Sequence, residues 1–510
     1  MVIPGLAKAA RLGCAQGRLW GTRIDGEDNV SMTTKYSGKC SNNVGDWGFP
    51  HMAIPRVQGF VFALAAMACS LISSPSFADS QVRIVRLSDV EGGVQINRGL
   101  HGYEKAFLNL PITQGNQVRT QSDGRAQIEF EDGSALRMAP DTAAEFSQLS
   151  LADSGIRVSN VNLKSGTTYV DFKNTKNDQL TLMFGREKIV LTRPAHLRIE
   201  LSDKNAAVSV MSGEADVEGG SGTVVQVSKN RTAFFDLAGN EAGKIAKDIE
   251  PAPYDAWDKQ QDQYQQRYSS NSVVASSSSY AYGLTDLSYY GNYFNMPGYG
   301  LMWQPYFAGA GWDPFMDGAW AFYPGMGYGW VSAYPWGWTP YHSGNWAFIP
   351  GRGWAWQPGG TWMAVNTRPR LLNAPANFSA PKPPATGGQS LVLVNRGPSA
   401  TFAGRSTSKL IIQNNSAGLG IPRGGLNDLS RVSERVNTQG MVTARIHSAP
   451  VQMAPMRTTG SESLSSGSGS RGASSSSRPL PSAGPGNARP MNSGGSGMNP
   501  APAGRGPSKN

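Results

Sequence analysis

Cysteine is almost missing from this chain. Of 510 residues only Cys14, Cys40 and Cys69 are cysteines, so everything downstream lacks disulfides, a thiolate metal site and a cysteine nucleophile. Histidine is nearly as scarce. Beyond residue 78 there are His101, His196, His342 and His447, no two at ligand spacing, which leaves little for a histidine metal centre or a Ser/His/Asp triad. Carboxylates are thin where aromatics are dense. From 303 to 366 the chain offers only Asp313 and Asp317, both in turn-like text, and no glutamate, whereas glycoside hydrolysis needs two carboxylates flanking one bond. A phosphate-cradling glycine loop, a nucleophile elbow and a zinc signature are also missing. The sequence predicts no catalytic residue, no cofactor and no metal, and hence a protein that is not an enzyme.

Long hydrophobic runs are lacking too. The apolar stretch from Val57 to Ile72 falls short of the roughly 20 residues that span a bilayer. With Arg56 before it and Ser76-Phe77-Ala78 as a small-x-small cleavage signal after it, 52–78 reads as a signal peptide starting at Met52. Residues 1–51 are then expected to be a non-native upstream extension, and the mature chain to start at 79 with no membrane span. Lipidation of Cys69 is the minority alternative, because Ala66-Met67-Ala68 is a poor lipobox and apolar Leu71-Ile72 follows it. The expected location is the periplasm or the cell surface. The full chain carries +10; without the seven Lys/Arg and four Asp/Glu of residues 1–78 it keeps 39 against 32, or +7. Mild basicity suits an anionic surface polysaccharide as well as simple solubility. Export disfavours nucleic acid as a partner.

What the chain has in excess is tryptophan. Ten of its thirteen fall between Trp303 and Trp362, in copies that begin at Gly291, Gly318 and Gly344, 27 and 26 residues apart. Each copy leads through an aromatic position into a Pro-Gly-x-Gly turn and out to a tryptophan, as in Trp346, Pro350-Gly351-Arg352-Gly353 and Trp356. Three such units predict an array in which each buries its apolar face against the next. Proline presets one turn dihedral and glycine supplies the positive one, so the aromatics are delivered to adjacent strands of a hairpin. Facing aromatics there add about 0.5–1.5 kcal/mol per pair beyond burial. Trp303, Trp320, Trp330, Trp346 and Trp356 are thus expected to be structural rungs. Trp312, Trp336, Trp338 and Trp362, which lie between the rungs, are the candidates for exposure and for stacking on a ligand such as a sugar ring.

Before the repeat, 82–240 is written in short strands. Ala126, Ile128 and Phe130 alternate with Gln127 and Glu129, a turn follows at Asp132-Gly133, and Leu136 and Met138 resume the alternation, which predicts one half-buried hairpin. Further strands are legible at 94–96, 169–172, 180–184, 189–191, 197–201, 208–210 and 224–227, spaced as in a sandwich, barrel or solenoid. Leu163-x-Ser165-Gly166 and Val210-x-Ser212-Gly213 echo each other, as stacked coils do. The run Asn109-Leu110-Pro111-Ile112-Thr113-x-Gly115-Asn116-x-Val118-Arg119-Thr120, leading into Asp132-Gly133-Ser134-x-Leu136-Arg137-Met138, resembles the core of FecR-type domains. The resemblance implies a β-rich sandwich or solenoid domain in the periplasm or outside the cell. In the iron-citrate regulator that names the family, this domain relays a signal from an outer-membrane receptor to a cytoplasmic sigma factor. That role also needs a cytoplasmic inhibitory segment and a transmembrane helix, neither of which is legible here, so the resemblance carries over the fold and the location and not the signalling.

At 251–268, Tyr254, Trp257, Gln261, Tyr264 and Tyr268 form a stripe on a short amphipathic helix, expected to pack on the β domain. The Trp-rich domain takes 286–366. Its phrases Trp303-Gln304-Pro305-Tyr306 and Pro335-Trp336-Gly337-Trp338-Thr339-Pro340-Tyr341-His342 resemble a repeat domain found behind FecR-like domains in exported bacterial proteins. Residues 371–449 read as weakly structured, and 450–510, dominated by Ser, Gly, Pro and Arg, as a disordered tail. The sequence thus predicts a mainly β, non-catalytic envelope protein with an interaction or scaffolding role, taking cell-wall or surface polysaccharide, or an envelope protein, as partner. A FecR-type sensor relaying through a separate membrane partner is the alternative. Oligomeric state is left open.

Overall fold

The computed structural model describes residues 83–451 apart from 175–177, 240–242, 270–280, 386–388, 400, 403–407 and 449–450. The predicted extension, the predicted signal peptide with Cys69, and nearly all of the predicted tail lie outside the described residues.

The first half folds into two β layers. One ladder runs through Val85–Glu91, Arg125–Glu129, Ala135–Met138, the second half of Arg157–Phe172, Ala195–Leu201, Asn205–Ser212, Arg231–Asp236 and Lys244–Ala246. The other runs through Tyr103–Lys105, Val94–Asn97, Gln117–Thr120, Ala143–Leu151, the first half of Arg157–Phe172, Gln179–Phe184, Glu187–Leu191, Glu214–Glu218 and Val224–Ser228. All these pairs are antiparallel except Arg157–Phe172 with Gln179–Phe184. Leu87, Ile128 and Val170 from one layer share a core with Ile96, Phe146 and Leu182 from the other. The two Ser-Gly echoes mark the crossings between layers. At Gly166 (φ 87°) the long strand leaves one ladder for the other, and at Gly213 (φ 76°) the chain crosses back. A Cβ at Gly166 would lie 2.6 Å from the Asp141 carbonyl, and one at Gly213 2.5 Å from that of Pro194, so these corners admit no side chain.

The predicted hairpin at 125–138 forms, closing on Phe130 N–H to the Ser134 carbonyl at 2.8 Å. It is not half-buried. Gln127 and Glu129, the polar phase of the alternation, are buried at 3% and 1% exposure, because the helix Asp255–Ser269 and the Trp-rich domain cover that face.

In the Trp-rich domain the three copies are three hairpins: Gly291–Met296 with Gly300–Pro305, Asp317–Tyr323 with Gly327–Ser332, and Ser343–Ile349 with Gly353–Trp362. Each turn is of the predicted kind. Tyr299, Met326 and Arg352 donate to the carbonyls of Met296, Tyr323 and Ile349, each at 3.0 Å, and Gly298, Gly325 and Gly351 supply positive φ, the type II pattern. The expected rungs Trp320 and Trp330 face each other, as do Trp346 and Trp356, while Trp303 faces Tyr293. The copies do not stack in sequence order. The first and third join through Trp303 and Trp356, while the second forms a separate sheet closed by Leu391–Asn395.

The stretch 371–449, expected to be weakly structured, contains the hairpin Lys409–Gln413 with Met441–Arg445 and the helix Leu429–Gln439. Asp428 caps that helix by accepting from Arg431 N–H, and Gly440 ends it. Leu410, Ile412, Val436 and Val442 go into the aromatic core of the Trp-rich domain. They are the aliphatic filling that the repeats lack.

Candidate functional site

Where the β layers, the helix Asp255–Ser269 and the C-terminal segment meet lies a cavity of about 460 Å³. A register shift at Ser88 interrupts the pairing of the first strand with Arg125–Glu129, and such bulges re-aim the side chains beside them. Asp89, half-buried, stands on the cavity wall with Glu91, Arg125, Trp257, Tyr290 and Arg423. Glu91 pairs with Arg125, whose guanidinium lies 5.4 Å from the Trp257 ring centre.

Behind the wall is a buried ionic network. Arg86 reaches Glu129 at 3.1 Å and Asp286 at 2.6 Å, and Arg423 reaches Asp286 at 2.9 Å. Tyr264 donates to Asp286 at 2.7 Å, Arg86 Nε donates to Asn109 at 2.9 Å, and Gly283 N–H donates to Glu129 at 3.3 Å. Burial works against a charge on Asp286, but the Arg423 and Arg86 guanidiniums outweigh it and hold the carboxyl below its ordinary range. Burial pushes Glu129 up. Burial, then Glu91 beside it, push Asp89 up to about 7 against Arg423 and Arg125.

The helix itself is held by a second cluster. His196 reaches Asp258 at 2.9 Å and Asp262 at 3.2 Å, and Arg137 pairs with both carboxylates. The three His/Asp side chains are close enough to hold a metal ion, which no sequence spacing foretold. Two cations already balance the two carboxylates, the Arg137 guanidinium and the His196 imidazolium that they favour, so a metal ion would have to displace that proton beside a fixed positive charge. The cluster is an ionic lock between sheet and helix.

The tryptophans expected to be exposed are not. Trp312 is 2% exposed, and Trp336 and Trp338 are fully buried. Trp336 stacks on Tyr334 at 5.0 Å and donates to the Ala417 carbonyl at 2.7 Å; Trp312 donates to Tyr334 at 2.9 Å. Trp362 is half-buried, with Tyr282 stacked on it at 5.4 Å. The text between the rungs folds inward because the domain has few aliphatics of its own and fills its core with indoles. The rungs Trp303, Trp320, Trp330, Trp346 and Trp356 are all buried. Asp317 is buried, accepting from Tyr334 at 3.1 Å, and Asp313 pairs with Arg396 at 3.3 Å.

The ladder from Gln117–Thr120 to Glu214–Glu218 and the three hairpins coincide with two family matches. Residues 116–216 match the FecR protein family, and residues 282–372 match a family of unknown function, DUF6600. The chain carries a FecR domain followed by a DUF6600 region. No curated protein matches it. Two solved structures of a "putative anti-sigma factor" from Parabacteroides distasonis ATCC 8503 are similar at 16% and 15% identity, each with a TM-score of 0.23 over 28% of this chain and 63% of theirs. This chain therefore spans less than two thirds of those proteins. Among the described residues no helix is long and apolar enough to cross a membrane.

The residues that build the junction escaped the sequence. Arg86–Glu129, Asp286–Arg423 and Arg86–Asp286 pair across 43, 137 and 200 positions, and no motif links them. One trace was visible: Asn109, in the FecR-like motif, adopts φ 61° and donates to the carbonyls of Ser332 and Tyr334 in the DUF6600 region at 2.9 and 2.7 Å.

Proposed function

We propose that this chain is an exported envelope protein that acts by binding rather than catalysis, as a FecR-type regulatory module whose FecR domain and DUF6600 region work as one body. The observation that carries the reading is the buried junction. The polar face of the 125–138 hairpin, which a free-standing FecR domain would present to solvent, is sealed by Asp286, Arg423 and the helix Asp255–Ser269. A partner would meet a composite surface rather than either domain alone. The match to the FecR family supports the regulatory role, and with Trp312, Trp336 and Trp338 buried, the half-buried Trp362 is the one of the four candidate faces left for glycan stacking.

The test is deletion and complementation in the natural host, with transcript profiling, cell fractionation and retention on purified peptidoglycan and capsular polysaccharide. A restricted set of transcripts should change, be restored by the full chain, and stay unrestored by a chain lacking residues 52–78. Unchanged transcripts together with strong polysaccharide retention would replace the regulatory reading with the glycan one. Recovery of the protein in the cytoplasm would overturn the envelope location.

A further inference from the structure

The cavity carries an inference that does not depend on the regulatory reading. Seven charged side chains gather on its wall and in the network behind it: Arg86, Arg125 and Arg423 against Asp89, Glu91, Glu129 and Asp286. Three guanidiniums face four carboxylates, so the cluster is one cation short. Six of the seven pair with one another. The seventh, Asp89, makes no hydrogen bond or ion pair among the described residues and stands on the cavity wall.

The rest of the wall says what kind of cation fits. Trp257 and Tyr290 supply aromatic surface, and Leu108, Ile421 and Ile446 make it apolar. A bare metal ion would gain nothing from that lining, whereas an alkylammonium is attracted both to a carboxylate and to ring faces. An anion is disfavoured because Arg125 and Arg423 are already engaged and it would add a fifth negative charge. A volume of about 460 Å³ lies in the range of small-molecule sites, roughly 300–1,000 Å³.

We propose that this cavity binds a small organic ammonium, with its charge on the Asp89 carboxylate and its apolar part against Trp257 and Tyr290. At neutral pH a proton supplies the missing positive charge, since Asp89 titrates near 7 with Glu91, Arg423, Arg125 and Asp286 around it; His447 completes the wall. The ammonium takes the proton's place.

Calorimetric titration of the full chain with three probes of one skeleton tests this: 2-phenylethylammonium, 2-phenylethanol and 3-phenylpropionate. The ammonium should bind at least about tenfold more tightly than the other two. Its affinity should fall about tenfold from pH 8 to pH 6, as the ionised fraction of a carboxyl titrating near 7 drops. Asp89→Asn, which keeps size and shape, should erase both the preference and the pH dependence while leaving the far-UV spectrum unchanged. Trp257→Leu should weaken all three probes together. Equal binding of the three probes, no binding of any, or a preference that survives in Asp89→Asn would overturn the assignment.

Discussion

A tryptophan is an expensive residue to leave in water, and among the described residues the one with the most ring neighbours is Trp336. Its ring lies 4.9 Å from that of Trp303, 5.0 Å from Tyr334 and 5.9 Å from both Trp312 and Trp346. Trp336→Ala should therefore destabilise the protein by about 3–5 kcal/mol, read as a lower denaturation midpoint with unchanged slope. Trp362→Ala, removing a half-buried ring, should cost clearly less. Equal losses would mean that the indoles between the rungs are not core. Asp89 sends the opposite signal. Its folded pKa, near 7, lies above an unfolded value of about 3.9, so between these limits the native state binds a proton that the unfolded chain has lost. From this group, stability falls as pH rises through that window. Asp89→Asn should flatten the slope and make the protein more stable than wild type at pH 8; an unchanged stability–pH curve would count against the shift.

The repeat shows at the level of the element how much the sequence disclosed. Turn chemistry is local, so Pro-Gly-x-Gly specified both the turn type and the facing of Trp320 with Trp330. The leading glycine of each copy has a reason visible only in three dimensions. A Cβ at Gly291 would lie 2.4 Å from the Trp303 ring, and one at Gly318 2.5 Å from both the Trp330 ring and the Val331 carbonyl, so the indole of the second strand rests on the bare backbone of the first. Gly318→Ala should cost about 1–3 kcal/mol and alter the near-UV spectrum; a loss below about 0.5 kcal/mol would show that the hairpin yields. Less legible were elements whose partners lie far away. The alternation at 125–130 gave the strand but assigned its polar face to water, because Glu129 meets Arg86, 43 positions distant. The helix Leu429–Gln439 did carry local signals in Asp428 and Gly440, obscured by the proline- and glycine-rich text around it.

The helix Asp255–Ser269 is held by charges that respond to pH. Burial alone would lower the His196 pKa, but the Asp258 hydrogen bond and the Asp258 and Asp262 charges outweigh it and hold it above the ordinary value. A folded pKa raised above the unfolded one gives stabilisation that is complete below about 6.5 and fades as pH rises through the folded value. Amide exchange in this helix, corrected for its intrinsic pH dependence, should accelerate as the imidazolium deprotonates, and His196→Gln should abolish that change. Acceleration in the variant equal to that of wild type would assign the pH response elsewhere.

On the scale of the whole molecule, the junction decides whether there are two folding units or one. Arg86 donates to the Pro335 carbonyl at 2.6 Å, Tyr323 to that of Pro111 at 3.0 Å, and Arg98 to that of Phe322 at 2.8 Å. Each bond crosses between the β layers and the Trp-rich domain and lies at least partly buried. Separating the domains would leave these donors, and the carboxylates of Glu129 and Asp286, to be rehydrated or stranded, which binds the two halves into one cooperative unit. Tryptophan fluorescence, which reports mainly on the Trp-rich domain, and far-UV dichroism, dominated by the β layers, should then follow a single unfolding transition. Asp286→Ala leaves Arg86 and Arg423 short of a counter-charge and should lower that transition by about 3–5 kcal/mol for both probes together. If it lowered the fluorescence transition and left the dichroism in place, the FecR domain would be stable without its neighbour and the composite surface would lose its basis.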